Sequence, residues 1–376
     1  MDAADAPNVT ATPFIPGIEL ARRYYAEVVR PLIDRHAPGL SHSAALIGWG
    51  SDVLGYDSAR STDHNWGPRC LVFVGPGDAS RVGEISSMLA AELPPTFLGW
   101  PTRFSDVTEA DAPVRHWVDV AELGGWLTGG LGFDPRAGVD LADWLATPTQ
   151  QLAELTGGAV FHDGLGSSEG RDGPDGQLGG LNAARQALRW YPDDIWRYVL
   201  ACQWQRISQE EPFPGRCAEA GDELGSALVT ARLAWDSIRL VMLMRRRYPP
   251  YSKWLGTAAA RLEGASGVVR LCYQTITATA WPDRERALGG VFEELGRIHN
   301  ELALTKPIDV KVRHFYSRPY QVIDAGRFAA ALTESIADDQ VRRLPVTGAV
   351  DQFIDSTDAA GDRRLRRAAV QALIAR

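Results

Sequence analysis

Short apolar runs that stop at glycines lie in the first third of this chain, and long stretches with helical spacing of apolar residues fill the rest. That change of period constrains the fold more than any other feature. "SAALIGWG" (Ser43–Gly50), "RCLVFV" (Arg69–Val74) and "PVRHWVDV" (Pro113–Val120) read as strands. "GIELARRYYAEVVRPLIDRH" reads as a helix with a kink or break at Pro31, and residues 79–92 read as an amphipathic helix. Asp119 and Glu122 have the spacing of a helix capping box. From about residue 140 the pattern is helical, over 140–156, 179–209, 218–247, 252–279, 283–303 and 325–338. Breaks fall at "HDGLGSSEGRDGPDG" and "EEPFPG". The glycines of the first break do not fit a dinucleotide-binding G-x-G-x-x-G, so it reads as a mobile loop.

A chain of 376 residues exceeds one ordinary core. The expected fold class is α+β, a small mixed-sheet domain over 16–135 followed by an all-α helical domain over 136–345. A disordered tail is expected over 1–15, and a C-terminal tail with a short helix over 346–376. Hydrophobic residues make up 45% of the chain, which places it among globular proteins. The net charge of −8 argues against a general nucleic-acid binder. No apolar run is long enough to span a membrane, and the acidic start "MDAADAPNVTATPF" lacks the features of a signal peptide. A cytoplasmic protein is expected. Cys70, Cys202, Cys217 and Cys272 are far apart and form no C-x-x-C, which argues against a zinc site or a disulfide framework.

One stretch carries chemistry: "GWGSDVLGYDSARSTDHNWGPR", Gly48–Arg69. Backbone N–H groups of a small-residue turn suit phosphates. Magnesium wants oxygen ligands, mostly carboxylates, and two acids one residue apart on a strand reach the same face. Here a strand ends at Gly50-Ser51, and Asp63 follows on a strand-like segment. Asn65 stands where a second acid would serve.

These residues resemble the DNA polymerase beta-like nucleotidyltransferase superfamily. They are closer still to a bacterial family of nucleotidyltransferase-like proteins that carries Gly-Ser and then Asp-His-Asp-Trp-Gly-Pro-Arg. "GDELGS" (Gly221–Ser226), "YPPYSKWLG" (Tyr248–Gly256) and "RPYQVIDAGRF" (Arg318–Phe328) extend the resemblance over residues 16–355. The resemblance implies magnesium-dependent transfer of a nucleotidyl group, AMP first, from a nucleoside triphosphate to a hydroxyl of a small-molecule acceptor. It implies that Gly50 and Ser51 hold the triphosphate, that Asp63 binds Mg2+, and that Asn65 takes the second ligand position without its charge. Lys253 and Arg69 would reach the phosphates. The third acid stays open among Asp119, Asp52 and Asp57. The loss of a charge at Asn65 keeps a second reading alive: a catalytically weak or inactive nucleotide- or metabolite-binding protein with a regulatory or biosynthetic role. The plainer readings are an exposed loop acid for Asp63, an exposed helix-start lysine for Lys253, and core or pocket wall for Trp66.

Overall fold

The computed structural model describes residues 13–63, 66–104, 115–166 and 179–375. The tail over 1–12, the central part of the loop expected at "HDGLGSSEGRDGPDG", and His64 and Asn65 lie outside the described residues. The fold is α+β, a small mixed sheet followed by a helical region. The chain forms two compact units. One runs to Ala137 and adds Glu154–Ala187, and the other joins Gly138–Ala153 to the chain from Leu188 onward.

The sheet of the first unit has four strands: β1 (His42–Leu46), β2 (Cys70–Val74), β3 (Val118–Glu122) and β4 (Ala159–Asp163). Their order is β3-β2-β1-β4. β1 is antiparallel to β2 and to β4, and β2 is parallel to β3. β1 and β2 are buried along their whole length, which is why they read as unbroken apolar runs rather than alternating ones. Leu20, Tyr24, Val29 and Ile33 pack with Val72, Val74, Ile85 and Leu89 on one face. Phe73 points the other way and meets Trp126 edge-on at 5.0 Å.

Several sequence expectations change. β4 falls between two stretches read as helices, inside the span assigned to the all-α domain. Its apolar core is too short for periodicity to separate strand from helix, and glycines bound it on both sides. Asp119 is no cap, because it lies within β3. Glu122 alone caps the helix Leu123–Leu131, accepting the N–H groups of Gly124 and Gly125 at 2.8 and 2.5 Å. Pro31 does not break its helix. The chain widens into a π-turn at Tyr25–Val29, with Arg30 N–H bonded to Tyr25 carbonyl, and continues through Arg30–His36. Proline or glycine divides three of the long helical stretches, at Pro148, Pro192 and Gly264.

The second unit is built on the helices Asp193–Glu210, Glu223–Met244, Trp281–Glu301 and Gly326–Glu334. Trp204 stacks on Phe328 at 4.4 Å between the first and last of these. The C-terminal helix spans Arg363–Ile374. Among the described residues no helix is long and apolar enough to cross a membrane.

Glu211, buried just past the first long helix, accepts the backbone N–H groups of Ile323, Asp324 and Ala325 at 2.8, 3.1 and 2.8 Å. Burial pushes its carboxyl from 4.5 up to about 7, while the three N–H donors pull the other way. With burial the stronger, the folded state holds this proton more tightly than the unfolded chain does. The contribution is then full below about 4.5 and is lost as pH rises through about 7. The stability advantage of wild type over Glu211→Gln should therefore shrink between about pH 5 and about pH 7 in urea unfolding. An advantage that grows over that window would mean that the N–H donors set the charge.

Candidate functional site

β1 ends at Leu46, and the chain turns sharply through Ile47–Ser51. What fixes this turn is a buried ion pair. Arg69, the residue before β2, donates to both carboxylate oxygens of Asp52, Nε to Oδ2 at 3.1 Å and Nη2 to Oδ1 at 2.6 Å. The same Nη2 donates to the carbonyl of Trp49 at 2.8 Å, and the guanidinium lies 4.4 Å from the centre of the Trp49 ring. Both side chains are over nine-tenths buried. Gly50 sits against this pair at φ +134°, and a Cβ there would come within 2.2 Å of Asp52 Oδ1. No other residue fits that position without moving the pair.

The clamp leaves donors free. Among the described residues, the backbone N–H groups of Trp49, Gly50 and Ser51 make no hydrogen bond, whereas Gly48 N–H is bonded to Glu154 carbonyl at 3.0 Å. Adjacent N–H groups at a glycine turn favour an anion. Beside the turn is a recess of about 120 Å³, lined by Ile47, Gly48, Trp49, Trp117, Asp119 and Trp126 among others. Asp119 is exposed and pairs in register with Leu71 of β2. Its side chain makes no ion pair or hydrogen bond among the described residues. Its charge reaches Cys70, whose thiol is pushed well above the ordinary range first by burial and then by Asp119.

The expected site residues separate. Gly50 and Ser51 form the turn. Asp63 is not on a strand. It ends a 3-10 turn, Ala59–Asp63, half exposed and 4.0 Å from Arg60. Gly67 and Pro68 intervene before β2 can start, because proline brings no N–H to a ladder. Asn65 lies outside the described residues. Arg69 is committed to Asp52 rather than turned to solvent. Lys253 belongs to the second unit, exposed in the first turn of Ser252–Ala260, with its ammonium 4.9 Å from the Trp254 ring. Of the acids left open, Asp52 and Asp57 are both engaged. Asp57 accepts Gly17 N–H at 2.7 Å and the Trp66 indole N–H at 3.0 Å, at the start of the first helix. Trp66 is core, against Phe14 and Trp100. Asp119 alone among the three lines the recess.

Magnesium is held by one or two carboxylates together with substrate phosphates and water. No group of three His, Cys, Asp or Glu side chains gathers among the described residues. The Asp52–Arg69 pair was missed in the sequence although its signal was there. Asp52 lies in the turn that follows β1 and Arg69 directly before β2, and antiparallel pairing brings those two segments to the same end of the sheet.

Removing one partner from a buried pair leaves the other charge uncompensated. Arg69→Met should cost about 3–5 kcal/mol of unfolding free energy, read as a lower urea midpoint. An unchanged midpoint would mean that the pair does not hold the turn.

Comparison with known proteins gives one family match. Residues 174–255, which run from the end of the first unit into the second, match the model of a domain of unknown function, DUF4037. No curated protein and no solved structure matches the chain.

Proposed function

We propose that the chain is nucleotidyltransferase-like and takes the phosphates of a nucleoside triphosphate at the Gly48–Ser51 turn. The observation that supports this is the set of free N–H groups at Trp49, Gly50 and Ser51, held in place by the buried Asp52–Arg69 pair. The adjoining recess, at about 120 Å³, is smaller than the roughly 300–1,000 Å³ of whole-ligand pockets. It admits part of a nucleotide, with the rest outside it.

The resemblance extends this reading to transfer of AMP to a hydroxyl of a small-molecule acceptor, with Mg2+ neutralising the triphosphate. Asp119 is then the further carboxylate beside Asp63, and Asn65 offers an uncharged carbonyl oxygen. A second reading, nucleotide binding without turnover, has its own support. Only one carboxylate reaches the recess among the described acids, and position 65 is a neutral Asn.

Calorimetric titration with ATP, GTP, CTP and UTP, with and without Mg2+, tests the binding, and pyrophosphate release with a panel of hydroxylated metabolites tests the transfer. Ser51→Glu places a negative charge in the turn and should weaken triphosphate binding about tenfold or more, about 1.4 kcal/mol. Equal affinity in that variant would remove the turn from the site. Asp119→Asn should abolish pyrophosphate release and leave nucleotide bound. Asn65→Asp should tighten Mg2+ binding, and no change would mean that position 65 does not face the ion.

A further inference from the structure

The second unit holds a larger cavity that the nucleotide reading does not use. Its volume is about 440 Å³, within the range of small-molecule sites. Three arginines and three aspartates line it, and nearly all of them are accounted for. Arg206 donates to both oxygens of Asp236, at 3.1 and 3.3 Å, and to the carbonyl of Gln352 at 2.6 Å. Asp236 also accepts the Gln203 amide at 2.9 Å. Arg232, more than half exposed, pairs with Glu210 at 3.3 Å. Asp351 accepts the N–H of Thr149 at 2.7 Å, and Asp355 is exposed to solvent.

Arg239 is the exception. It is only 8% exposed, and among the described residues its guanidinium has no hydrogen bond and no ion pair. The hydroxyl of Tyr191, also buried and without a partner among the described residues, feels the charges of both Arg239 and Asp351. A guanidinium that lines a cavity with none of its donors bonded presents them to an anion entering it. The cavity wall also carries Trp235 and Phe353, 38% and 41% exposed, large aromatic faces without full cover. We propose that this cavity binds a small aromatic oxyanion, with its carboxylate or phosphate on the Arg239 guanidinium and its ring against Trp235 and Phe353. Arginine's planar fork suits either group.

The test uses the full chain and three probes, inorganic phosphate, phenyl phosphate and benzoate, titrated by calorimetry against wild type, Arg239→Met and Trp235→Ala. An aromatic oxyanion should bind wild type saturably and more tightly than inorganic phosphate does. Each variant should weaken it about tenfold or more. Preference for phenyl phosphate identifies the group as phosphate, and preference for benzoate identifies it as carboxylate. Arg239→Met should also melt close to or above the wild-type temperature, since among the described residues it removes no hydrogen bond or ion pair. No binding of either aromatic probe, or binding that survives both substitutions, overturns the proposal. So does an Arg239→Met protein that melts well below wild type or fails to fold, because Arg239 would then be a structural group.

Discussion

The Asp52–Arg69 pair is the constraint on which the first unit's functional end depends. β1 and β2 run antiparallel, so the turn after one and the residue before the other arrive at the same end of the sheet. Both charges are out of water, and neither could stay there alone. The intervening loop is therefore tied at its two ends, and a turn that would otherwise fluctuate is fixed. The requirement for glycine at position 50 follows from the pair and not from any ligand, because a Cβ would strike the guanidinium and carboxylate. So the Gly-Ser signature is first a packing device. The phosphate site proposed for it rests on what the packing leaves over, which is N–H groups with no partner among the described residues.

The same device recurs through the molecule. Buried carboxylates hold backbone N–H groups from distant parts of the chain. Asp163, at the end of β4, accepts the Ser43 hydroxyl at 2.5 Å and the N–H groups of Leu181 and Asn182 at 3.1 and 2.9 Å. It thereby anchors the first turn of the helix Leu181–Ala187, where an anion also meets the positive end of the dipole. Glu211 holds the segment leading into Gly326–Glu334, and Asp57 holds the start of Gly17–Tyr24. Each acid satisfies backbone donors that the local secondary structure leaves unpaired. An acid count read from sequence therefore overstates the carboxylates available for chemistry.

This decides what was legible beforehand. β1 and β2 were readable because central strands are apolar on both faces, and the change to helical period marked the second architecture. β4 was not, because a five-residue strand between glycines carries too little pattern to outweigh the helices around it. The turn at Gly50-Ser51 was readable as a turn. The pairing of Arg69 with Asp52 was not read, because sequence spacing shows which residues are near a loop and not which charges are buried together. The choice among Asp52, Asp57 and Asp119 needed strand register. Asp119 shares a face with Leu71 of β2 and Ala45 of β1, and register is a property of paired strands rather than of either strand alone. The Arg239 cavity had no sequence signal at all, since its walls come from helices more than a hundred residues apart from Gln352 and Phe353.

Arg69 and Arg239 together separate two uses of one side chain. Both are more than nine-tenths buried. Arg69 has a bidentate carboxylate, a carbonyl and an aromatic face, all supplied by the chain, and it also borders the recess beside the turn. Arg239 has a cavity in front of it and no partner among the described residues. A folded chain keeps a fully paired guanidinium for stability, because removing it would strand the carboxylate. It gains no stability from a buried guanidinium without a partner, and an apolar residue of similar length would serve the core better. The unbonded guanidinium is therefore the group on which the proposed oxyanion site turns: an anion in the cavity would give Arg239 the bonded partner that Asp52 gives Arg69.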